Sequence, residues 1–463
     1  MVKTEGQKLE EKLCYKIKNI GMEKPEDIDK ANEFCEGYKK YLDNAKIERE
    51  AVKYSVEMAE ECGYRPFERS KKYNTGDKVY FNNRGKNIIL TTFGKRPLID
   101  GVHFNIAHID SPRLDLKPNP LYEKDEIAYF KTHYYGGIKK YQWGVTPLAM
   151  HGRVMLKDGS AIDLNIGEND GDPVFVVSDL LPHLSQQQNQ RKLSDGIKGE
   201  ELNIILGSTP VPDKEVKKAF KLKILSILNE KYGMVEEDFL RAEITMVPAQ
   251  HAVDVGLDRS LIGAYGQDDK VCAYTALMAE LECKKPEYTT VTVLVDKEEI
   301  GSVGVTGMAG DMLLHYMEDL VEAEGERVRD VLRNSICLSA DVNAAFDPTF
   351  PDVYEANNAS YLNRGPVLTK YTGSRGKSGS NDASAETMHK IISYMESDDV
   401  MWQIGELGKV DAGGGGTIAM FIANMDVDTV DLGVPVLSMH APFEVTSKLD
   451  VYYTYKAFAA FNK

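Results

Sequence analysis

Five short segments of this chain put a histidine or a carboxylate where an apolar strand ends or a helix begins: His108-Ile109-Asp110, Asp268-Asp269, Glu298-Glu299, Asp341 and His440. Imidazole nitrogen and carboxylate oxygen together form a donor set suited to zinc, manganese or cobalt. In an open α/β sheet, ligands collect in the crevice beyond the carboxyl ends of the strands. If these strands are parallel neighbours, all five segments converge there. Each segment also has a plainer reading. His108 follows Phe104-Asn105-Ile106-Ala107, and Asp110, two residues on, shares its face and could orient the imidazole; a lone His-x-Asp is more often a surface pair. The run Val291–Val295 meets Asp296-Lys297-Glu298-Glu299. That is a costly way to end a buried strand unless the acids bind something or reach water, and a solvated strand end competes evenly. Asp341 closes Ile336–Ala340, and His440 closes Val436–Met439; either alone could be a cap or a satisfied core group. Recurrence within one alternating region favours a shared site.

Other motifs fail on spacing. Gly301-Ser302-Val303-Gly304-Val305-Thr306-Gly307 reads GxxGxxG, not the GxGxxG of a dinucleotide loop. Gly376-Lys377-Ser378 would need glycine at 371 for a phosphate loop, and that residue is Tyr371. His133, His151, His251, His315 and His389 lack partners at ligand spacing and read as structural or surface residues.

The elements that must position the five segments follow from periodicity. One amphipathic helix is predicted over about residues 25–62, stopped by Gly63. Short strands at Val79–Phe81 and Ile88–Thr92 flank the turn Asn82-Asn83-Arg84-Gly85. From about Pro112 to Val247 the pattern turns to loops and strands, at Arg153–Leu156, Ala161–Ile166 and Val174–Ser178, with a helix over about Asp213–Tyr232. Beyond Val247, helices at Asp269–Leu281, Ala383–Met395 and Leu449–Phe461 alternate with strands at Thr289–Val295, Ser335–Ala340 and Val434–Met439. This alternation predicts a three-layer α/β/α domain, residues 1–112 and 247–463, split by a β-rich insert, 113–246.

Composition narrows the function. The 463 residues are 42% hydrophobic and carry a formal charge of −16, from 56 basic and 72 acidic side chains. Such a chain is a poor binder of phosphate backbones, so no nucleic-acid partner is expected. Six scattered cysteines, none in a CxxC pair, suit a reducing cytoplasm. Neither a signal peptide over Met1–Glu11 nor a membrane span is expected.

Taken together, Ala107-His108-Ile109-Asp110-Ser111-Pro112, Asp296–Gly304, Ser339-Ala340-Asp341, Gly413–Thr417 and Ser438-Met439-His440 resemble the aspartyl aminopeptidase and vacuolar aminopeptidase I family of dinuclear zinc metallopeptidases. Lys139-Lys140-Tyr141-Gln142-Trp143 in the insert looks closer to the aminopeptidase I branch. The resemblance implies two divalent ions, zinc first, with cobalt or manganese as alternatives. His108 and Asp341 would hold one ion and Glu299 and His440 the other. Asp268 would bridge them, with Asp269 as the one-residue alternative. Asp110 would brace His108, and Glu298 would be the general base acting on a metal-bridged hydroxide. It further implies a homo-oligomer, a dodecamer built from dimers, in which the insert carries His183, in Pro182-His183-Leu184, to a neighbour's active site. Peptides are the expected substrates, cut at the N-terminal residue, with broad or neutral preference. Lys370 and Arg375 would be the cations of an acid-specific alternative. A related dinuclear deacylase is the more distant alternative.

Overall fold

The computed structural model describes residues 3–463. Its main sheet has nine strands, in the order Arg65–Pro66, Lys78–Asn83, Asn87–Thr92, Thr289–Val295, Val102–His108, Ile336–Ala340, Asp428–Gly433, Val367–Thr369 and Gln403–Ile404. Four central strands, Thr289–Val295 through Asp428–Gly433, run parallel. Parallel strands buried on both faces need continuous apolar or β-branched runs, and Thr-Thr-Val-Thr-Val-Leu-Val, buried throughout, is one. One face is covered by the helices Asp27–Asn44, Gln267–Glu282 and Lys448–Phe461, the other by Met312–Glu322, Val328–Arg333 and Ala419–Ala423. The middle helix, Gln267–Glu282, has almost no solvent face, as expected of a helix packed between a sheet and outer helices.

A second sheet of seven antiparallel strands is built wholly from residues 113–248 and has its own core, around Leu114, Phe130, Trp143 and Met246. A third, five-stranded sheet joins Val253–Val255, Leu261–Ala264, Glu444–Ser447, Pro435–Leu437 and Asn343–Ala344. This third sheet corrects the expected convergence. Three of the five segments, those of His108, Glu298-Glu299 and Asp341, follow parallel neighbours of the main sheet. Asp268 and His440 instead leave strands of the small sheet. The stretch predicted as one strand, Val434–Met439, is Pro435–Leu437 of the small sheet, and the main-sheet strand just before it, Asp428–Gly433, was not anticipated. The chain changes sheets at Gly433. A side chain there is impossible, because a Cβ would lie 1.8 Å from the carbonyl oxygen of Asp341.

Other boundaries shift for local reasons. The helix expected over 25–62 is two helices, Asp27–Asn44 and Glu48–Glu61. The break is at Lys46, which is buried and donates its ammonium to the Gln250 carbonyl at 2.7 Å. The helix expected from Asp213 starts at Ala219; the Asp213 carboxylate instead accepts from the Glu215 N–H, turning the chain. The strand expected over Val174–Ser178 contracts to Val176–Val177.

His103, on the strand that ends at His108, carries a measurable consequence of burial. It is 4% exposed, stacked between Tyr288 and Phe461 with ring centroids 4.7 and 4.3 Å away, and its Nδ1–H donates to the Phe461 carbonyl at 2.8 Å. Burial pushes its pKa down to about 4. The unfolded chain takes up this proton near the ordinary value of about 6.5, so stability is lost as pH falls from there toward 4. The loss expected from this group is about 3 kcal/mol, from roughly 1.4 kcal/mol per pKa unit. Urea unfolding of wild type and His103→Phe at pH 7 and pH 4.5 measures it: the variant is expected to lose less stability on acidification, and an equal loss refutes the assignment.

Candidate metal centre

The site lies where the carboxyl ends of the parallel strands meet the small sheet. His108, 1% exposed, is its hub. Its Nδ1 lies 3.1 Å from the Asp110 carbonyl and 3.3 Å from Asp110 Oδ1. Its Nε2 faces Asp268 Oδ1 at 3.3 Å, Asp341 Oδ1 at 3.7 Å and Glu298 Oε2 at 3.9 Å. The other oxygen of Asp268, Oδ2, lies 3.1 Å from His440 Nε2, which is 3.7 Å from Glu299 Oε1. One carboxylate therefore presents each of its oxygens to a different imidazole. Asp269 differs: its Oδ2 accepts the backbone N–H of His108 at 3.3 Å.

Asp110 braces more than the imidazole. Oδ1 accepts the Glu298 N–H at 3.1 Å, and Oδ2 accepts the Glu299 N–H at 3.2 Å and the Tyr135 hydroxyl at 2.8 Å. The short helical turn Glu298–Ile300 is thus fixed from a neighbouring strand end. The seven-stranded sheet takes part, through Tyr135 and through the Gly137 carbonyl just beyond it, 2.6 Å from His440 Nδ1. Neither partner carries a sequence signal.

The electrostatics are those of a site for cations. Burial raises the pKa of Glu299 well above the ordinary carboxylate range, with Asp268 adding to the shift. Burial also raises Glu298, to about 8, against the pull of His108 and with further push from Asp341, Asp268 and Asp110. Asp268 goes the other way: burial opposes its ionisation, but the imidazoles of His108 and His440 beside its two oxygens outweigh that and lower its pKa. Four buried polar atoms here, His108 Nε2, Asp268 Oδ1, Asp269 Oδ1 and Glu299 Oε1, have no hydrogen-bond partner. Natural proteins seldom leave such atoms unmatched. His108, Asp268 and Glu299 bring one donor atom each within 4.8 Å of one another, as do His108, Glu298 and Asp341. Mixed nitrogen and oxygen donors, crowded and unpartnered, fit first-row divalent ions.

The cluster opens into a cavity of about 600 Å³, walled by Leu407, Met420, Phe421 and Met439, by Thr369, Thr372 and Thr417, and by the loop Gly414–Gly416. Among the described residues, no lysine or arginine lines it. Lys370 pairs with Asp382 outside it, and Arg375 lies on an exposed turn beside a separate small groove. His183 also stands outside the cavity, in the exposed turn Pro182–Leu184. Of the remaining histidines, His151 is fully buried between Glu50, at 2.7 Å, and Glu168, at 3.4 Å.

Comparison with known proteins identifies the family. The family model described as aminopeptidase I zinc metalloprotease (M18) matches residues 41–462. The "Probable M18 family aminopeptidase 1" of Clostridium acetobutylicum is 50% identical over 432 residues, covering 92% of this chain and 93% of that protein. The crystal structure of the M18 family aminopeptidase from Thermotoga maritima superposes with a TM-score of 0.93 at 43% identity, covering 97% of this chain and 99% of that one. The S. cerevisiae mApe1 dodecamer, 22% identical with a TM-score of 0.75 over 94% of this chain and 96% of that one, shares the fold. The chain belongs to the aminopeptidase I zinc metalloprotease family, M18, and is a metallo-aminopeptidase.

Proposed function

We propose that the chain removes single N-terminal residues from peptides with two divalent ions, zinc foremost, held by His108 and Asp341 on one side, Glu299 and His440 on the other, and Asp268 between. The observation that carries this reading is the Asp268 carboxylate, whose two oxygens face two different imidazoles at 3.3 and 3.1 Å. Bound ions would supply Lewis acidity to the scissile carbonyl and make water a nucleophile near neutral pH. The chain's own residues do the rest. Glu298, anchored through its backbone by Asp110, takes the proton of the attacking water and passes it to the leaving amine. Asp110 fixes the His108 ring, and the Gly137 carbonyl fixes that of His440. Carboxylates around the cluster receive the substrate's free α-amine, which restricts cutting to the first residue.

The first-residue preference in this reading is broad or neutral. An acidic side chain in a partly desolvated pocket needs a cation, and beyond the cluster itself the cavity is lined by apolar side chains, threonines, glycines, Ser302, Asn343 and Asp431, with no lysine or arginine among the described residues. The same lack of a cation disfavours a deacylase or carboxypeptidase, which must anchor a substrate carboxylate. Hydrolysis of leucyl and glutamyl substrates by wild type and Lys370→Met tests this. Leucyl substrates are expected to be cut faster, with both enzymes alike within the measurement. Glutamyl preference that vanishes in Lys370→Met would reverse the assignment.

The insert, residues 113–246, is proposed as the dimerisation domain, its dimers assembling into a dodecamer, with 1–112 and 247–463 as the catalytic domain. The yeast relative's dodecamer supports this, as do Leu180, Leu181, Leu184 and Leu193, which are exposed around His183. Copies so joined would bring His183 to a neighbour's cavity. A cytoplasmic location fits six unbonded cysteines, and no helix of the described residues is long and apolar enough to cross a membrane.

A further inference from the structure

The loops carrying Asp268 and His440 leave different strands of the small sheet, about 170 residues apart in sequence, yet their side chains must meet within an ångström-scale tolerance. His440 adds a difficulty, because its backbone lies in the left-handed region, φ 64°, which a non-glycine residue holds only when its surroundings impose it. One side chain spans both loops. Glu444, first residue of the strand Glu444–Ser447 and 1% exposed, accepts the His440 N–H on Oε1 at 2.7 Å and the Asp268 N–H on Oε2 at 3.0 Å. Its backbone is held in turn. The Glu444 carbonyl accepts from Gln267 Nε2 at 2.7 Å, the same amide donates to the Ile262 carbonyl at 3.2 Å, and Gln267 Oε1 accepts the Tyr38 hydroxyl at 3.2 Å. Glu444 also pairs with Ala264 across the two strands.

We propose that Glu444 is a positioning residue that sets the spacing of the two ion-binding halves by clamping Asp268 and His440 through their backbone N–H groups. The proposal rests on the two-ion reading above. A carboxylate is the side chain that offers two charge-assisted acceptors from one position. Burying it beside Asp268 is costly, and an apolar residue would pack the turn without that cost. The arrangement makes sense if what it secures is geometry. Glu444 touches neither substrate nor reacting atoms in this scheme, so its effect must reach the reaction through the two ligands.

The test is the Zn²⁺ affinity of metal-stripped protein, measured by competition with a chromophoric chelator. Glu444→Gln keeps the shape but turns an amide N–H₂ toward one of the two backbone donors. The expected result is an affinity loss of about 10–100-fold, the usual cost of losing a group that orients a ligand, with melting of the ion-free protein little changed and activity recovered at high zinc. Wild-type affinity in folded Glu444→Gln, even with a lowered ion-free melting temperature, overturns the proposal and leaves Glu444 a structural role only. If Glu444→Gln does not fold, Gln267→Met decides: a smaller affinity loss supports the clamp, and wild-type affinity rejects it. His440→Ala separates the clamp from the reading beneath it. If His440→Ala binds two ions like wild type, the two-ion reading fails and the clamp with it. If His440→Ala loses an ion while Glu444→Gln does not, only the clamp fails.

Discussion

Glu298→Gln is expected to keep two ions per chain and to hydrolyse aminoacyl substrates about 10²–10⁴-fold more slowly, the range a general base contributes. Its place explains the pairing of retained metal and lost rate. Oε2 is 3.9 Å from His108 Nε2, farther than the oxygens of Asp268 and Asp341. Its side chain is 18% exposed where that of Glu299 is 4%, so it is the more open of the two to the cavity that both line. The backbone bond to Asp110 Oδ1 survives the substitution, since the Glu298 N–H makes it. Glutamine matches glutamate in shape but cannot take a proton. Metal analysis and kcat on a leucyl substrate, made on the same preparation, provide the check. Two ions with near-wild-type kcat would assign the base elsewhere; loss of an ion would make Glu298 a ligand.

How much of this could be read from the sequence depends on how far each partner lies along the chain. His108, Glu298-Glu299 and Asp341 were visible because each interrupts an apolar run, and a polar group at the end of a buried strand is conspicuous from the strand alone. The two split helices were not visible. Asp27–Asn44 and Glu48–Glu61 each have a helical apolar stripe, and the break at Lys46 depends on the Gln250 carbonyl, two hundred residues away. His440 was found as a residue but placed in the wrong sheet. Val434–Met439 reads as a strand, whereas Asp428–Gly433, interrupted by Asp428 and Asp431, does not, and only the close approach of Gly433 to the Asp341 carbonyl shows where the chain passes from one sheet to the other. Tyr135, Gly137 and Glu444 were missed altogether. Each acts through a hydrogen bond to a residue elsewhere in the fold, and a tyrosine in a strand, a glycine after it or a glutamate opening a strand looks ordinary in sequence. The cavity walls were equally hidden: Lys370 and Arg375 read in the sequence as candidate cations, and both lie outside the cavity.

Asp268→Ala is expected to have the widest effect of any single substitution at the cluster: loss of both ions and of measurable turnover. The reason is stoichiometric. A residue serving one ion costs one ion when removed, and His440→Ala should therefore retain close to one. Asp268 contributes Oδ1 on the His108 side and Oδ2 on the His440 side, so its removal takes a donor from both halves at once. It also removes the negative charge lying between the two imidazoles, whose proximity lowers the pKa of Asp268 in the ion-free protein. Affinity at each half should fall by more than the ~10–100-fold that accompanies loss of a merely orienting partner. Asp269→Ala is the necessary comparison, because Asp269 is adjacent, fully buried and has an unpartnered oxygen of its own. Its bond to the His108 N–H predicts a milder effect, confined to the His108 side. Zinc content of the three variants after dialysis against a weak chelator separates the cases. A pattern of none for Asp268→Ala, one for His440→Ala and a partial loss for Asp269→Ala fits the bridge at Asp268. Two ions retained by Asp268→Ala, with both lost from Asp269→Ala, moves the bridge by one residue and requires Asp269 to turn away from the backbone of His108.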